Sequence, residues 1–441
     1  MQNQKFIKKI SFFADLVVIY NAINKNKEIF FSFKSSIWLL IDRVIRLISG
    51  VFIGSWVIRY LGPEQYGNFS YVLSILIFFQ VLANFGLDTI VIRELSIRNN
   101  QKDDIFNSAL LVKFTLGIIS FFSVILFYLL FSEAKFNDDL LPIISIAAIP
   151  ILFQFTDVID FWYQSIHKSE VAIKAKLFSL AVVSGLRIFA ILFGYSLFAF
   201  ALLLALDAVL GSIILVFYFL NNKESINVYP SFNKCYFLVA NAIPILIMSL
   251  SFLVTSRVDQ IIIKNLLGAK ILGFYSSIYF IASFSQFIPS ILNQSVAAYI
   301  HKLRLRNYNK YIQFLRIYYR SLIVISILIS IFLIIFGDKI VLLLLGESYA
   351  EYSKFLGIYS LTNIFHFIGM SQFLWFINEN KQRYLLCLSI SSAFLGLITT
   401  YICILNFNFY GAVFASILVG IFSNYILPRI YFPELRKIFV W

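Results

Sequence analysis

Residues 36–57 read SIWLLIDRVIRLISGVFIGSWV. Wound as an α-helix at 1.5 Å per residue, the stretch is about 33 Å long, close to the thickness of a bilayer's hydrocarbon core. Asp42, Arg43 and Arg46 interrupt it. A charge near the bilayer centre costs about 2.5–3.5 kcal/mol on insertion scales, so three in one turn and a half imply a polar interior rather than a lipid-facing surface.

The rest of the chain repeats this pattern. Further apolar runs, bounded by polar clusters, lie near 67–89, 108–131, 140–162, 174–193, 196–220, 236–263, 271–296, 318–337, 350–376, 383–405 and 409–430. Gly194–Ser196 and Asn406–Asn408 leave almost no loop between neighbouring runs. Hydrophobic residues make up 60% of the 441 and charged residues 13%, with a mean hydropathy of +0.86, which excludes a soluble globule. The chain reads as an all-α polytopic membrane protein with about 12 transmembrane helices. Cys235, Cys387 and Cys403 are the only cysteines and form no C-x-x-C, so neither a disulfide framework nor a metal site is expected.

Basic residues orient the spans. Counting those at the adjoining span ends, the N-terminal tail, the loops after even-numbered spans and the C-terminal tail hold 25 of the 36 Lys and Arg residues. The odd-numbered loops hold five: Arg59, Lys135, Lys264, Lys270 and Lys339. Both termini are therefore expected in the cytoplasm. The net charge of +14 is then an orientation and lipid-headgroup signal, with no need of nucleic acid. In the tail 1–35, Phe6, Ile10, Phe13, Val17 and Tyr20 recur at helical spacing beside Lys5, Lys8 and Lys9, the pattern of an interfacial helix. Asp15 and the lack of a small-residue cleavage site weigh against a signal peptide.

An internal repeat appears at an offset of 206 residues. Leu61-Gly62, Gly67, Ser70 and Gln80 correspond to Leu267-Gly268, Gly273, Ser276 and Gln286. Six spans per half preserve orientation, so two lobes, 36–221 and 236–432, are expected around a central cavity, joined by a linker over 222–235 and followed by a tail over 433–441.

Trp38-Leu-Leu-Ile-Asp-Arg43-Val-Ile-Arg46, Arg59-Tyr-Leu-Gly-Pro-Glu-Gln-Tyr-Gly67, Gly86-Leu-Asp88 and Ile92-Arg-Glu-Leu95 together resemble the N-terminal half of Wzx-type flippases. Val258-Asp-Gln-Ile261, Leu267-Gly268 and, more loosely, Gly346-Glu-Ser-Tyr349 extend the resemblance through the membrane region. It implies membership of the superfamily that also holds multidrug exporters and the lipid II flippase. The implied substrate is an undecaprenyl-diphosphate-linked oligosaccharide repeat unit of O-antigen or a related polysaccharide, carried across the bacterial inner membrane by alternating access. Membrane lipids, a polysaccharide polymerase and a chain-length regulator are the implied partners.

The charges within the spans suit that substrate. Arginine's planar fork holds phosphate oxygens two at a time, which makes Arg43, Arg46, Arg187 and Arg257 the candidate ligands. Asp42 and Arg46, four apart, can instead pair with each other, leaving Arg43 the stronger candidate of that span. Arg187 can bridge to Asp157 or Asp160. Asp157 and Asp160 share a helix face, where a proton or cation would relieve their repulsion; they, Asp207 and Asp259 are the candidate ion-coupling residues. Arg257 and Asp259 are two apart and cannot face one another, and Pro244 upstream predicts a break or kink. His366 and the pair Gly50 and Gly54 read as packing, and Tyr71, Trp162 and Trp375 as interface aromatics. No cofactor and no catalytic residue is read, and export would draw on membrane potential or on a proton or cation gradient. A small-molecule exporter of the same superfamily remains the nearer rival. A polymerase or ligase would normally present a large external loop, and none is present.

Overall fold

The computed structural model describes residues 27–98, 101–131, 140–222 and 230–439, all of it helix and short connections. The interfacial helix expected near Phe6–Tyr20 and half of the expected linker, 223–229, lie outside the described residues. The twelve expected spans all appear. Nine continuous helical stretches among the described residues are long and apolar enough to cross a membrane. Two of these are each a pair of spans. Ser55–Asn84 contains Gly62 at φ 69°, ψ 172°, and Gln382–Ile421 contains Asn408 at φ 50°, ψ −130°. At the second break the chain folds back, because a Cβ on Gly411 would meet the carbonyl oxygen of Cys403 at 1.9 Å. Thr362–Asn378 completes the tenth span, after short turns at Glu347–Tyr352 and Phe355–Tyr359.

Boundaries differ from the apolar runs in instructive ways. The first helix begins at Lys27, nine residues before the run, since a helix continues into the polar interface once its apolar part is anchored. The fourth span is broken into Leu140–Ala147, Ile149–Phe153, Gln154–Thr156 and Asp157–Ser165, around Pro150. Such irregular backbone is tolerated at membrane depth only against protein or a polar cavity. Pro244 does not break its helix: Phe232–Leu267 is continuous across it. Trp375 is no interface aromatic, being fully buried between Phe376 and Phe432.

Three cores show how the lobes meet. One draws residues from all twelve spans, among them Val57, Ile75, Val124, Ile144, Val183, Phe200, Ile263, Phe274, Val341, Tyr349, Ile404 and Val413. It lies at the end where Gly62, Gly268 and Gly346 turn. At the opposite end the apolar contacts split in two. Leu87, Phe106, Val158, Ala175 and Phe219 form one core, and Ile300, Tyr319, Phe367, Leu385 and Leu435 the other. The lobes are thus fused at one end and parted at the other. The seventh span crosses between them: Leu238 and Ala242 pack in the first lobe, Met248 against the second, and Ile263 in the shared core.

The fused end is held by the sequence repeat. A Cβ on Gly67 would sit 1.8 Å from the carbonyl oxygen of Ala269, and one on Gly273 would sit 1.8 Å from that of Pro63. The 206-residue offset turns one contact into the other, since it maps Gly67 onto Gly273 and Pro63 onto Ala269. Gly62 and Gly268 share one conformation as well, φ 69° and 88° with ψ near 175°, which a side chain would strain. Gly50–Gly54 is a π-helical turn, and Gly54 packs on the ring of Phe280 from the other lobe, as small residues at helix crossings do.

Candidate functional site

Two polar cavities sit between the fused end and the parted end. The first, of about 440 Å³, lies in the N-terminal lobe and is lined by Asp42, Arg46, Gln80, Asp157, Lys176 and Asp207, among others. The second, of about 360 Å³, lies between the lobes, where Tyr66, Ser70 and Gln80 of the second span face Arg257 and Gln260 of the seventh and Ser276 and Tyr279 of the eighth. Gln80 and Leu204 border both, so the two cavities adjoin.

The first cavity is charged and internally paired. Arg46 donates to both oxygens of Asp42, at 2.9 and 3.1 Å. Lys176 bridges the two acids of the fourth span, 2.6 Å from Asp160 and 3.6 Å from Asp157. Lys113, wholly buried, lies 3.4 Å from the other oxygen of Asp157 and 4.8 Å from the centre of the Phe161 ring. The cation that the two acids require is therefore a lysine ammonium. Arg187, expected as a bridge to one of them, makes no ion pair with either among the described residues. Asp207 accepts a hydrogen bond from Ser179 at 2.7 Å. Arg43 has no ion pair among the described residues and lines neither cavity.

The second cavity is different in kind. Arg257 stacks on Tyr279, 4.5 Å from the ring centre, and has no acidic partner among the described residues. A cation over a ring face is held there by the ring's electrostatics, and arginine's N–H donors can serve other partners. Beside it, Nε2 of Gln260 and the hydroxyl of Ser276 are buried without a hydrogen-bond partner, although Oε1 of Gln260 accepts from Ser74 at 2.5 Å. Buried donors in folded proteins are almost always paired, so a cation with two such donors around it offers charge and hydrogen bonds to an anionic ligand. Asp259 points the opposite way, into the C-terminal lobe, where it accepts from the Tyr275 hydroxyl and from the backbone N–H of Gln260, the latter at 2.7 Å. Tyr275 also shares a hydrogen bond with Ser416 at 2.7 Å.

Lys113 and Lys176 were not among the sequence candidates. The same criterion that selects Arg187, a charge within an apolar run, also selects Lys113, but nothing in the chain marks a partner 44 residues away. Gln260 and Ser276 carry no charge; the Val258–Ile261 motif and the repeat include them, but it is their burial without partners that marks them for the site.

Residues 57–354 match the family described as "Polysaccharide biosynthesis protein", well over half of the chain. The chain belongs to this family. No functionally curated protein matches it in sequence. Among solved structures, the inward-facing conformation of a multidrug resistance MATE family transporter of the MOP superfamily superposes at a TM-score of 0.73, with 14% identity over 91% of this chain and 99% of that one. The outward-facing conformation of a transporter of the same description reaches 0.63, with 14% identity over 92% and 96%. The lipid II flippase MurJ, inward closed, reaches 0.68, with 15% identity over 90% and 87%. This member of the polysaccharide biosynthesis family therefore has the MOP-superfamily fold, two six-helix lobes around a central cavity. It is a multi-pass membrane protein.

Proposed function

We propose that this protein is a flippase that carries an undecaprenyl-diphosphate-linked oligosaccharide from the cytoplasmic to the outer leaflet of the bacterial inner membrane. The observation that carries the reading is Arg257, a cation without an acidic partner among the described residues, presented to the inter-lobe cavity beside the idle donors of Gln260 and Ser276. A diphosphate cannot cross hydrocarbon bare, and this cavity offers what it lacks, charge and donors shielded from lipid. The polyprenyl chain stays in the bilayer. The parted end, which carries most basic residues, faces the cytoplasm in this reading and admits the substrate; outward release requires the Gly67 and Gly273 contacts to part.

The ion-coupling roles proposed for the acids then divide. Asp157 and Asp160 already hold lysines, so Asp207 and Asp259 are the acids that remain for a proton or cation. A small-molecule exporter would have the same fold. Its organic-cation substrates favour an acidic, aromatic cavity, whereas here the inter-lobe cavity presents an arginine and, among the described residues, no carboxylate lines it.

Deletion of the gene in its host tests the reading. Lipid-linked oligosaccharide is expected to accumulate in the inner leaflet while surface polysaccharide is lost, and wild-type but not Arg257→Ala complementation should restore both. Unchanged pools would revive the small-molecule exporter. Single units accumulating outside would indicate a polymerase or ligase.

A further inference from the structure

The C-terminal lobe holds a third cavity, of about 190 Å³, which shares no lining residue with the other two. Its chemistry differs from that of the charged cavity in the N-terminal lobe. Among the described residues the lining has no carboxylate, lysine or arginine; Phe252, Phe373 and Phe376 supply aromatic rings, and Gln372, Asn424, Ser423 and His366 supply neutral polar groups.

Several of those polar groups are unspent. Gln372 is 1% exposed, and neither its amide oxygen nor its amide nitrogen has a hydrogen-bond partner. The hydroxyl of Ser423 is buried and unpartnered too. Ser423 and Asn424 lie in a π-helical turn, Phe422–Ile426, a local widening that recurs at functional sites because it re-aims side chains. Gly369 keeps room for that arrangement, since a Cβ there would meet Oδ1 of Asn424 at 2.1 Å.

A fully buried amide with both ends idle is not a packing residue, and an acyl chain would leave it idle. An organic cation would find no acid. A neutral ligand with hydroxyl groups that donate and accept, and with C–H faces that lie on aromatic rings, answers every group in the lining. The space suits one sugar ring, several times a water's share of about 30 Å³. We propose that this cavity is a saccharide subsite, which takes one neutral sugar of the lipid-linked oligosaccharide while the diphosphate lies at Arg257. The proposal rests on the flippase reading and adds to it a division of labour, charge between the lobes and sugar in the C-terminal lobe.

The test compares two probes on the full-length protein in nanodiscs: bare undecaprenyl diphosphate, and the same lipid bearing one neutral sugar, taken in turn from glucose, galactose, rhamnose, N-acetylglucosamine and N-acetylgalactosamine. At least one glycosylated lipid is expected to bind about tenfold more tightly than the bare one. Gln372→Leu and Ser423→Ala should reduce that increment while leaving affinity for bare undecaprenyl diphosphate unchanged, which also reports that the variants are folded. Equal affinity for the bare lipid and every glycosylated one overturns the subsite and leaves the flippase reading standing. So does an increment that survives both substitutions. Failure to bind even the bare diphosphate sinks the flippase reading itself, and the subsite with it.

Discussion

At the scale of single residues, two cations of similar sequence context have opposite environments. Arg257 lies over the Tyr279 ring with no ion pair among the described residues, whereas Lys113 is buried against Asp157. Removing each should fail differently. Charge-assisted hydrogen bonds contribute about 1.5–3 kcal/mol, so Arg257→Ala is expected to weaken undecaprenyl diphosphate binding roughly tenfold to a hundredfold with little effect on thermal stability. Arg257→Lys, which keeps the charge but loses the fork and the flat stacking face, should fall between. Arg43→Ala, at a residue lining neither cavity, should bind as the wild type does. Lys113→Met, by contrast, strips a buried pair of one member. It is expected to cost roughly 3 kcal/mol, the low end for such losses because Lys176 still attends Asp157, and to appear as a lower melting temperature with binding intact. The charges themselves were legible in the sequence, since each interrupts an apolar run. Their partners were not, because a helix fixes only neighbours three and four residues away. Asp42 with Arg46 could therefore be paired from spacing, and Asp157 with Lys113 could not.

At the scale of elements, twelve spans followed from apolar runs, and the repeat followed from the small residues that the fused end needs. Gly67 recurs as Gly273 because helices touch there at backbone distance, and Gly62 recurs as Gly268 because both turn at positive φ; such positions hold a pattern against a loose apolar background. The internal breaks were less visible. Pro150 coincides with an interrupted span and Pro244 with a continuous one, so proline alone does not decide; the surrounding helices do. The glycine contact gives a direct expectation for the conformational cycle. Gly67→Ala places a Cβ against the carbonyl of Ala269, and overpacking of this kind costs about 1–3 kcal/mol. The cost falls on the closed form alone. The equilibrium should therefore shift outward by about fivefold to more than a hundredfold, read as increased labelling of cysteines placed at the fused end by an impermeant thiol reagent. Unchanged labelling would mean that the contact is not a gate.

At the scale of the whole molecule, the distribution of charge bears on what drives export. With the acids of the fourth span held by Lys113 and Lys176, the first cavity carries its own counter-ions. A diphosphate moving outward from a negative interior gains about 2.3 kcal/mol per charge per 100 mV, provided that the cations of the cavity return without it. Two charges at that potential supply about 4.6 kcal/mol, enough for more than a thousandfold accumulation. Potential alone is therefore expected to sustain export. Proteoliposomes holding the purified protein, a lipid-linked oligosaccharide and a potassium diffusion potential, with sodium and pH equal on both sides, provide the measurement. Transport that follows the sign and size of the potential would bear this out. Transport that needs a sodium or pH gradient would assign coupling to an acid without a lysine, and Asp259, buried against Tyr275 behind the Arg257 cavity, is the first to replace. Asp259→Asn should then abolish the gradient's effect while leaving undecaprenyl diphosphate bound at Arg257.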